Sequence, residues 1–503
     1  MTKQGFGQNF WRITGVLFFL VTAIFSVSAQ ADGARLNELL AGYLANDLSF
    51  QKATITAQSA SLSLDATKIS NGLSLSLSSG TIKIAPGSDG TTVTLEPQAE
   101  LALPQVRDTT LSADVPVTIT SDDGTTVNNA SVSVATGIIT GAAKQKKITI
   151  LEAERKYQEA RRSAQDAAVT AEKNFYTALK KLYNYAVSVL TKRSDLYDDE
   201  LSLRKLQAQG YNRTSSTYLK ADLKVRSDRR DVTEAERVLE RETAVFAKKC
   251  GVDYAKAGDG QNQYDVALAF LPFTVPDVAI LDPTTFAADA YTATESAAWS
   301  KYIAQLKREV DYKLTLKANA GYTFNNVSAK SDTVDTGLSL TWNGFTAKAG
   351  VSFATGNTVF GNDFTTTGKA GDPVYTLSFG WVPNTWRLAK IDAQQDKLDA
   401  QLEDIAIQSA ANDYETDMAD KVTAISDLAW AKQSYQEEYA MYAQLAQDTE
   451  SWFTQGIVTE SDLRDARDNQ QKAHINLLIN AIDVILFNDE TRLLFRTDKG
   501  LAE

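Results

Sequence analysis

From about Lys147 to Leu206, and again from about Thr385 to Thr454, the chain runs on without a proline or a glycine. Helices of globular proteins rarely exceed about 25 residues. At 1.5 Å per residue the first run alone predicts a rod of about 90 Å. Its apolar residues Ala168, Phe175, Leu179, Leu182, Ala186 and Val189 fall on one stripe. The second run carries Met418, Val422, Ile425, Ala429, Tyr435, Tyr439, Tyr442 and Ala446 in the same manner. A rod of this kind cannot bury its stripe by itself, so coiled-coil or bundle packing is expected.

Each rod stops at a glycine: Gly210 in QAQGYNRTSS and Gly456 in FTQGIVTESD, 246 residues apart. A second helix follows each stop, to about Lys249 and Phe495. A shorter helical stretch and a set of alternating runs precede each rod. The helical stretches are 34–68 and 284–313; the alternating runs cover 73–85, 91–103, 111–120, 126–139, 314–324, 336–344, 346–354 and 373–382. The order helix, strands, long helix, turn, helix therefore occurs twice, which is the signature of an internal repeat. We assign the repeats to 32–253 and 284–495, joined by a proline-bearing connector at 254–283 and followed by a tail at 496–503. The fold class is α+β with two structural repeats per chain.

The alternating runs pair Leu, Val and aromatic residues with Ser, Thr and Gly more than with Lys and Glu, as in LSLSLSSG at 73–80. Tyr322, Phe324, Trp342, Phe345, Phe353, Tyr375, Phe379, Trp381 and Trp386 gather around the second set. This pattern suits a barrel in lipid and also a soluble sandwich. The N-terminus favours export: Lys3 and Arg12 precede the apolar run at 13–25 and the small residues ending at Ala31, so 1–31 reads as a signal peptide. No other stretch is long and apolar enough to span a membrane as a helix, which leaves spanning to strands. Too few strands are available per unit to close a pore, so closure calls for several copies in a symmetric ring.

A net charge of −12 excludes a general binder of phosphate backbones, and with it nucleic acid as a partner. One histidine and one cysteine leave little for metal ligation, a catalytic triad or a disulfide. No nucleophile–base cluster or phosphate loop is present, and no catalytic, cofactor or metal residue is assigned. His474 reads as a surface or locally paired side chain, Cys250 as a buried or passive thiol. Lys144, Lys146 and Lys147 mark the junction of strands and rod, where they could meet lipid headgroups or simply solubilise it.

The sequence from about residue 34 to 495 resembles the TolC-like outer-membrane efflux proteins (outer membrane factors). The most specific local match is Gly456-Ile457-Val458-Thr459-Glu460-Ser461-Asp462-Leu463-Arg464-Asp465-Ala466. Gly210, Thr214 and Ser216 stand at the corresponding places of the first half and fit less closely. The resemblance implies a homotrimer with four spanning strands per chain. It also implies a barrel completed by trimerisation in the cell outer membrane and an α-helical tunnel in the periplasm. Passive export would then depend on a periplasmic adaptor and an inner-membrane transporter. The Gly210, Thr214, Ser216, Gly456, Thr459 and Ser461 turns would be adaptor contacts. Asp462 and Asp465, three apart and so on broadly one side of a helix, would match the acidic pair that narrows the tunnel. Helix capping is the other reading of these carboxylates. A secreted filament with a β-rich head and coiled-coil stalk is the alternative for the whole chain, and a secreted hydrolase a weaker third.

Overall fold

The computed structural model describes residues 31–496 apart from 88–89, 105, 121–123, 128, 259, 311–313, 326–330 and 357–370. The signal-peptide assignment lies outside the described residues except at its last position. Eight α-helices occur among them: α1 (Ala31–Asn46), α2 (Leu48–Ser70), α3 (Ala142–Ala208), α4 (Ser216–Lys249), α5 (Gln263–Phe270), α6 (Thr292–Val310), α7 (Pro383–Thr454) and α8 (Glu460–Leu494). The rods α3 and α7 run for 67 and 72 residues, so the absence of breakers was read correctly. The helix expected over 34–68 is two helices, because the Asp47 carboxylate accepts the Phe50 amide at 2.8 Å and starts α2. No described helix is long and apolar enough to cross a membrane.

Twelve strands are described. An eight-stranded antiparallel sheet is ordered β1 (Ser74–Ser78), β4 (Gln98–Leu103), β5 (Thr109–Asp114), β8 (Ala130–Ile139), β9 (Leu314–Phe324), β10 (Thr333–Trp342), β11 (Phe345–Ala354), β12 (Val374–Trp381). The strands β2 (Lys83–Gly87), β3 (Gly90–Leu95), β6 (Val117–Thr120) and β7 (Gly124–Val127) form a separate four-stranded sheet. Four of the runs read as single strands are therefore divided, into β1/β2, β3/β4, β5/β6 and β7/β8. The resemblance implied four strands per chain, whereas this sheet has eight. Each half adds a second hairpin, and β8 pairs with β9 to join the halves. The β10–β11 hairpin turns on Asn343 and Gly344, whose φ values of 46° and 83° suit a two-residue hairpin turn.

Register sorts the side chains of the large sheet by chemistry. One rung across all eight strands reads Leu75, Leu101, Leu111, Val134, Ala320, Thr336, Val351, Tyr375. The next reads Ser76, Glu100, Ser112, Ser133, Gly321, Asp335, Ser352, Val374. The first belongs to a face that is almost wholly apolar, the second to a face of mostly small and polar residues. The apolar face is open: Leu75, Leu77, Tyr375, Leu377, Phe379 and Trp381 are 64–74% exposed. β1 and β12 are the two edges of this sheet.

The chain forms two compact units. The second holds both sheets and comprises Ala53–Gln165, Phe286–Asp417 and the chain from Phe495. Here Glu295 of α6 takes the buried Arg155 of α3 in a two-armed pair, one arm at 2.8 Å, and Arg496 also reaches it. Arg308 grips Glu403 of α7 at 2.7 and 2.8 Å. Phe495 stacks on Phe286 at 4.6 Å and meets Tyr291 and Tyr414 edge-on.

The first unit, the chain up to Lys52 with Asp166–Thr285 and Met418–Leu494, contains a helical core. The stripe read from the first rod supplies it: Phe175, Leu179, Leu182, Ala186 and Val189 are buried, beside Leu36, Leu239, Phe246 and Ile482. In the second rod only Ala446 of the expected stripe is fully buried, and Val422 is 46% exposed. Asn488 pins the connector, donating to the Ala279 carbonyl at 2.9 Å and accepting the Leu281 amide at 2.8 Å. Cys250 is buried, and His474 stacks on Phe273 at 4.5 Å, a local pairing as read.

Beside Asn488 the Asp489 carboxyl is fully buried and its Oδ2 has no hydrogen-bond partner. Burial, then the Glu172 charge, push it up to about 7, against the pull of Arg492 and Lys173. Glu172 is itself raised by burial. A folded-state value above the ordinary one means that the neutral form is favoured by folding. That contribution is present at low pH and is lost as pH rises from the usual carboxylate range through about 7. Asp489→Asn is therefore expected to flatten the fall in thermal midpoint between about pH 4 and 7. A midpoint that falls as steeply in the variant as in the parent would refute this.

Candidate functional site

The two helix–turn–helix tips end their rods in the same way. Gly210 has φ 76° and Gly456 φ 70°, a left-handed conformation that glycine adopts without strain. At the first tip the Tyr211 amide donates to Leu206 and the Gly210 amide to Gln207, both at 3.1 Å. At the second, Ile457 donates to Trp452 at 2.9 Å and Gly456 to Phe453 at 3.0 Å. Both are Schellman closures, with an apolar residue after the glycine. A Cβ on either glycine would meet nothing within 4 Å, so the requirement is conformational rather than steric.

The returning helices start differently. At the second tip Thr459 and Asp462 form a reciprocal capping box: the Thr459 amide and hydroxyl donate to Asp462 Oδ2 at 2.8 and 2.7 Å, and the Asp462 amide returns to Thr459 Oγ1 at 3.3 Å. These bonds hold the exposed Asp462 carboxyl below its usual range. At the first tip the cap is Ser215, accepting the Tyr218 amide at 3.3 Å. Ser216 is the first helical residue instead of the cap, and Thr214 donates amide and hydroxyl to Asn212 Oδ1 at 3.0 and 2.9 Å. Ser461 lies within the first turn of α8.

Asp465 has another environment. Burial first, then the charges of Asp198 and Asp468, raise its carboxyl. Asp468 is raised by burial, with Arg464 and Arg193 opposing. Arg464 lies over the Tyr197 ring at 5.3 Å, which brings the start of α8 beside the end of α3. The structure thus separates Asp462, committed to its cap, from Asp465, which joins an acidic group with Asp198 and Asp468. The last two were missed in the sequence. A signal existed: Asp198 lies twelve residues before Gly210 and Asp468 twelve after Gly456. No group of His, Cys, Asp and Glu suited to a metal ion occurs among the described residues.

The capping box sets a measurable cost. Thr459→Ala is expected to lower stability by about 1 kcal/mol. Asp465→Asn, which relieves like-charge crowding, is expected to leave stability equal or higher. Equilibrium unfolding of the two variants checks the order; a reversed order would contradict these roles.

The N-terminal domain model of the TP096X family matches residues 39–275, and its C-terminal domain model matches 276–498. No curated protein matches the sequence. Among solved structures the chain is similar to the outer membrane protein VceC of Vibrio cholerae, at 12% identity and a TM-score of 0.48, covering 92% of this chain and 97% of that one. It is also similar to the MtrE outer membrane channel of Neisseria gonorrhoeae, at 12% identity, 91% and 88% coverage and a TM-score of 0.46. The Campylobacter jejuni CmeC outer membrane channel gives 12%, 92% and 87%, and 0.45. With the two domain models placed end to end over 39–498, the chain belongs to the TP096X family.

Proposed function

We propose that this chain is an outer-membrane exit channel, a homotrimer that passively conducts substrates for efflux or type I secretion. The observation that carries the reading is the open apolar face of the eight-stranded sheet. A soluble sheet buries such a face; a lipid-embedded barrel turns it outward and its polar face inward. Strands β8 to β11 have 10 or 11 residues, the length a tilted spanning strand needs. Trp342, Phe345 and Trp381 share one rung of the apolar face, and Tyr322 and Phe353 another. The rungs lie eight residues apart on β10, about 27 Å along the strand, close to an apolar band with aromatic girdles. The filament alternative offers no reason for this arrangement.

The edges β1 and β12 supply the means of closure, each pairing with the opposite edge of a neighbouring copy. The outer side of α7 supports the same association. Leu388, Ile391, Leu398, Leu402 and Ile405 follow coiled-coil spacing and are 51–62% exposed in the single chain. We read the duplicated segments 32–253 and 284–495 as equivalent contributors to the helical tunnel in the periplasm. The turns at Gly210, Thr214 and Ser216 and at Gly456, Thr459 and Ser461 are the proposed contacts for a periplasmic adaptor, which links the channel to an inner-membrane transporter. Asp462 and Asp465 are the proposed rings at the tunnel constriction, with Asp198 and Asp468 adding to the field. Transport of this kind requires neither a catalytic group nor a cofactor.

In planar bilayers the full-length oligomer is expected to conduct. Replacing Asp462 and Asp465 together by Asn is expected to raise single-channel conductance or relieve block by divalent cations. Unchanged conductance and block would remove the constriction role, and a soluble monomer without pores would remove the channel.

A further inference from the structure

We propose that each copy builds its share of the barrel wall from all eight strands of the large sheet, so that three copies close a wall of about 24 strands. The inference rests on the channel reading and deepens it by fixing the number of strands in the wall and the width of its opening. Three features of the sheet support it. The division between apolar and polar faces is unbroken from β1 to β12, as the two complete rungs show. A strand that left the wall would have no reason to keep that register of chemistry. The hydrogen-bonded order is continuous as well, so no strand can leave without exposing new edges. Finally, the short strands β1, β4 and β5 each adjoin in the sequence a strand of the smaller antiparallel sheet, β2, β3 and β6 respectively.

The width follows from geometry. Strands about 4.8 Å apart and tilted by about 40° give a backbone diameter of about 48 Å for 24 strands and about 24 Å for 12. Side chains on the inner face remove about 10 Å. The inner face here is rich in Ser, Thr and Gly, such as Ser112, Ser133, Gly321 and Ser339, and so fills little of the lumen. The clear aperture is then about 38 Å rather than about 14 Å.

The test uses the full-length oligomer in lipid vesicles, with single cysteines at alternate positions of every strand. Cys250 is buried and remains silent to a water-soluble maleimide. Ser76→Cys, Ser112→Cys and Ser378→Cys are expected to react, and Leu75→Cys, Leu111→Cys and Leu377→Cys to be protected. Top views by electron microscopy are expected to show a ring of about 48 Å. Alternation confined to β8–β11 with a ring of about 24 Å would overturn the eight-strand wall while leaving the channel intact. Reaction at every position in a monomer that opens no pore would overturn the channel itself. None of these substitutions falls in the helical core, and oligomer size on native gels confirms assembly of each variant.

Discussion

An apolar surface that no described element of its own chain covers is the constraint on which this structure turns. Eight strands are aligned so that Leu, Val, Ala and aromatic side chains share one side, and Ser, Thr, Gly and most charged residues the other. Water penalises exposed hydrocarbon by about 25 cal/mol per Å². A patch of this extent must therefore be covered by lipid or by another protein chain. The helices packed against one another elsewhere do not relieve it. The aliphatic seam on the outside of α7 repeats the argument with another periodicity: residues that would form a core in a globule face outward.

What secures the helices is a small number of polar clamps set among apolar contacts. Glu295 draws Arg155 and Arg496 together, so that the chain beyond α8 is tied to the beginning of α6. Asn488 does the same for the connector through two backbone hydrogen bonds. Such buried polar groups are costly when unpaired and directional when satisfied. They favour one alignment among the several that a long apolar stripe would allow. Asp489 is the exception, a buried carboxyl that gives pH a hold on the helical packing.

Much of this was legible before any coordinates. Long runs without breakers gave the rods, alternation gave the strands, and glycine gave both tips, because each depends on local steric preference. Features that depend on tertiary partners were less accessible. Asp462 and Asp465 look alike in the sequence, yet one closes a capping box and the other faces Asp198 across a helix pair. Ser215 and Ser216 are adjacent hydroxyls, and only backbone geometry decides which is the cap. The splitting of 73–85 into β1 and β2, and the β8–β9 junction between halves, reflect pairing choices that alternation does not encode. Val422 was placed on a buried stripe by spacing alone, but neighbours for that side are absent from a single chain.

The composition of the outermost strands has a consequence for biogenesis. β1 reads SLSLS and β12 reads VYTLSFGW, without a charge or a proline in either. Proteins that live as monomers blunt such borders with lysine, proline or a bulge. On the channel reading, a newly exported copy of this chain carries no such guard, and these borders resemble the segments that seed cross-β aggregates. A chain bound for a membrane with such borders calls for a holding chaperone, or for insertion faster than encounters between unpaired copies.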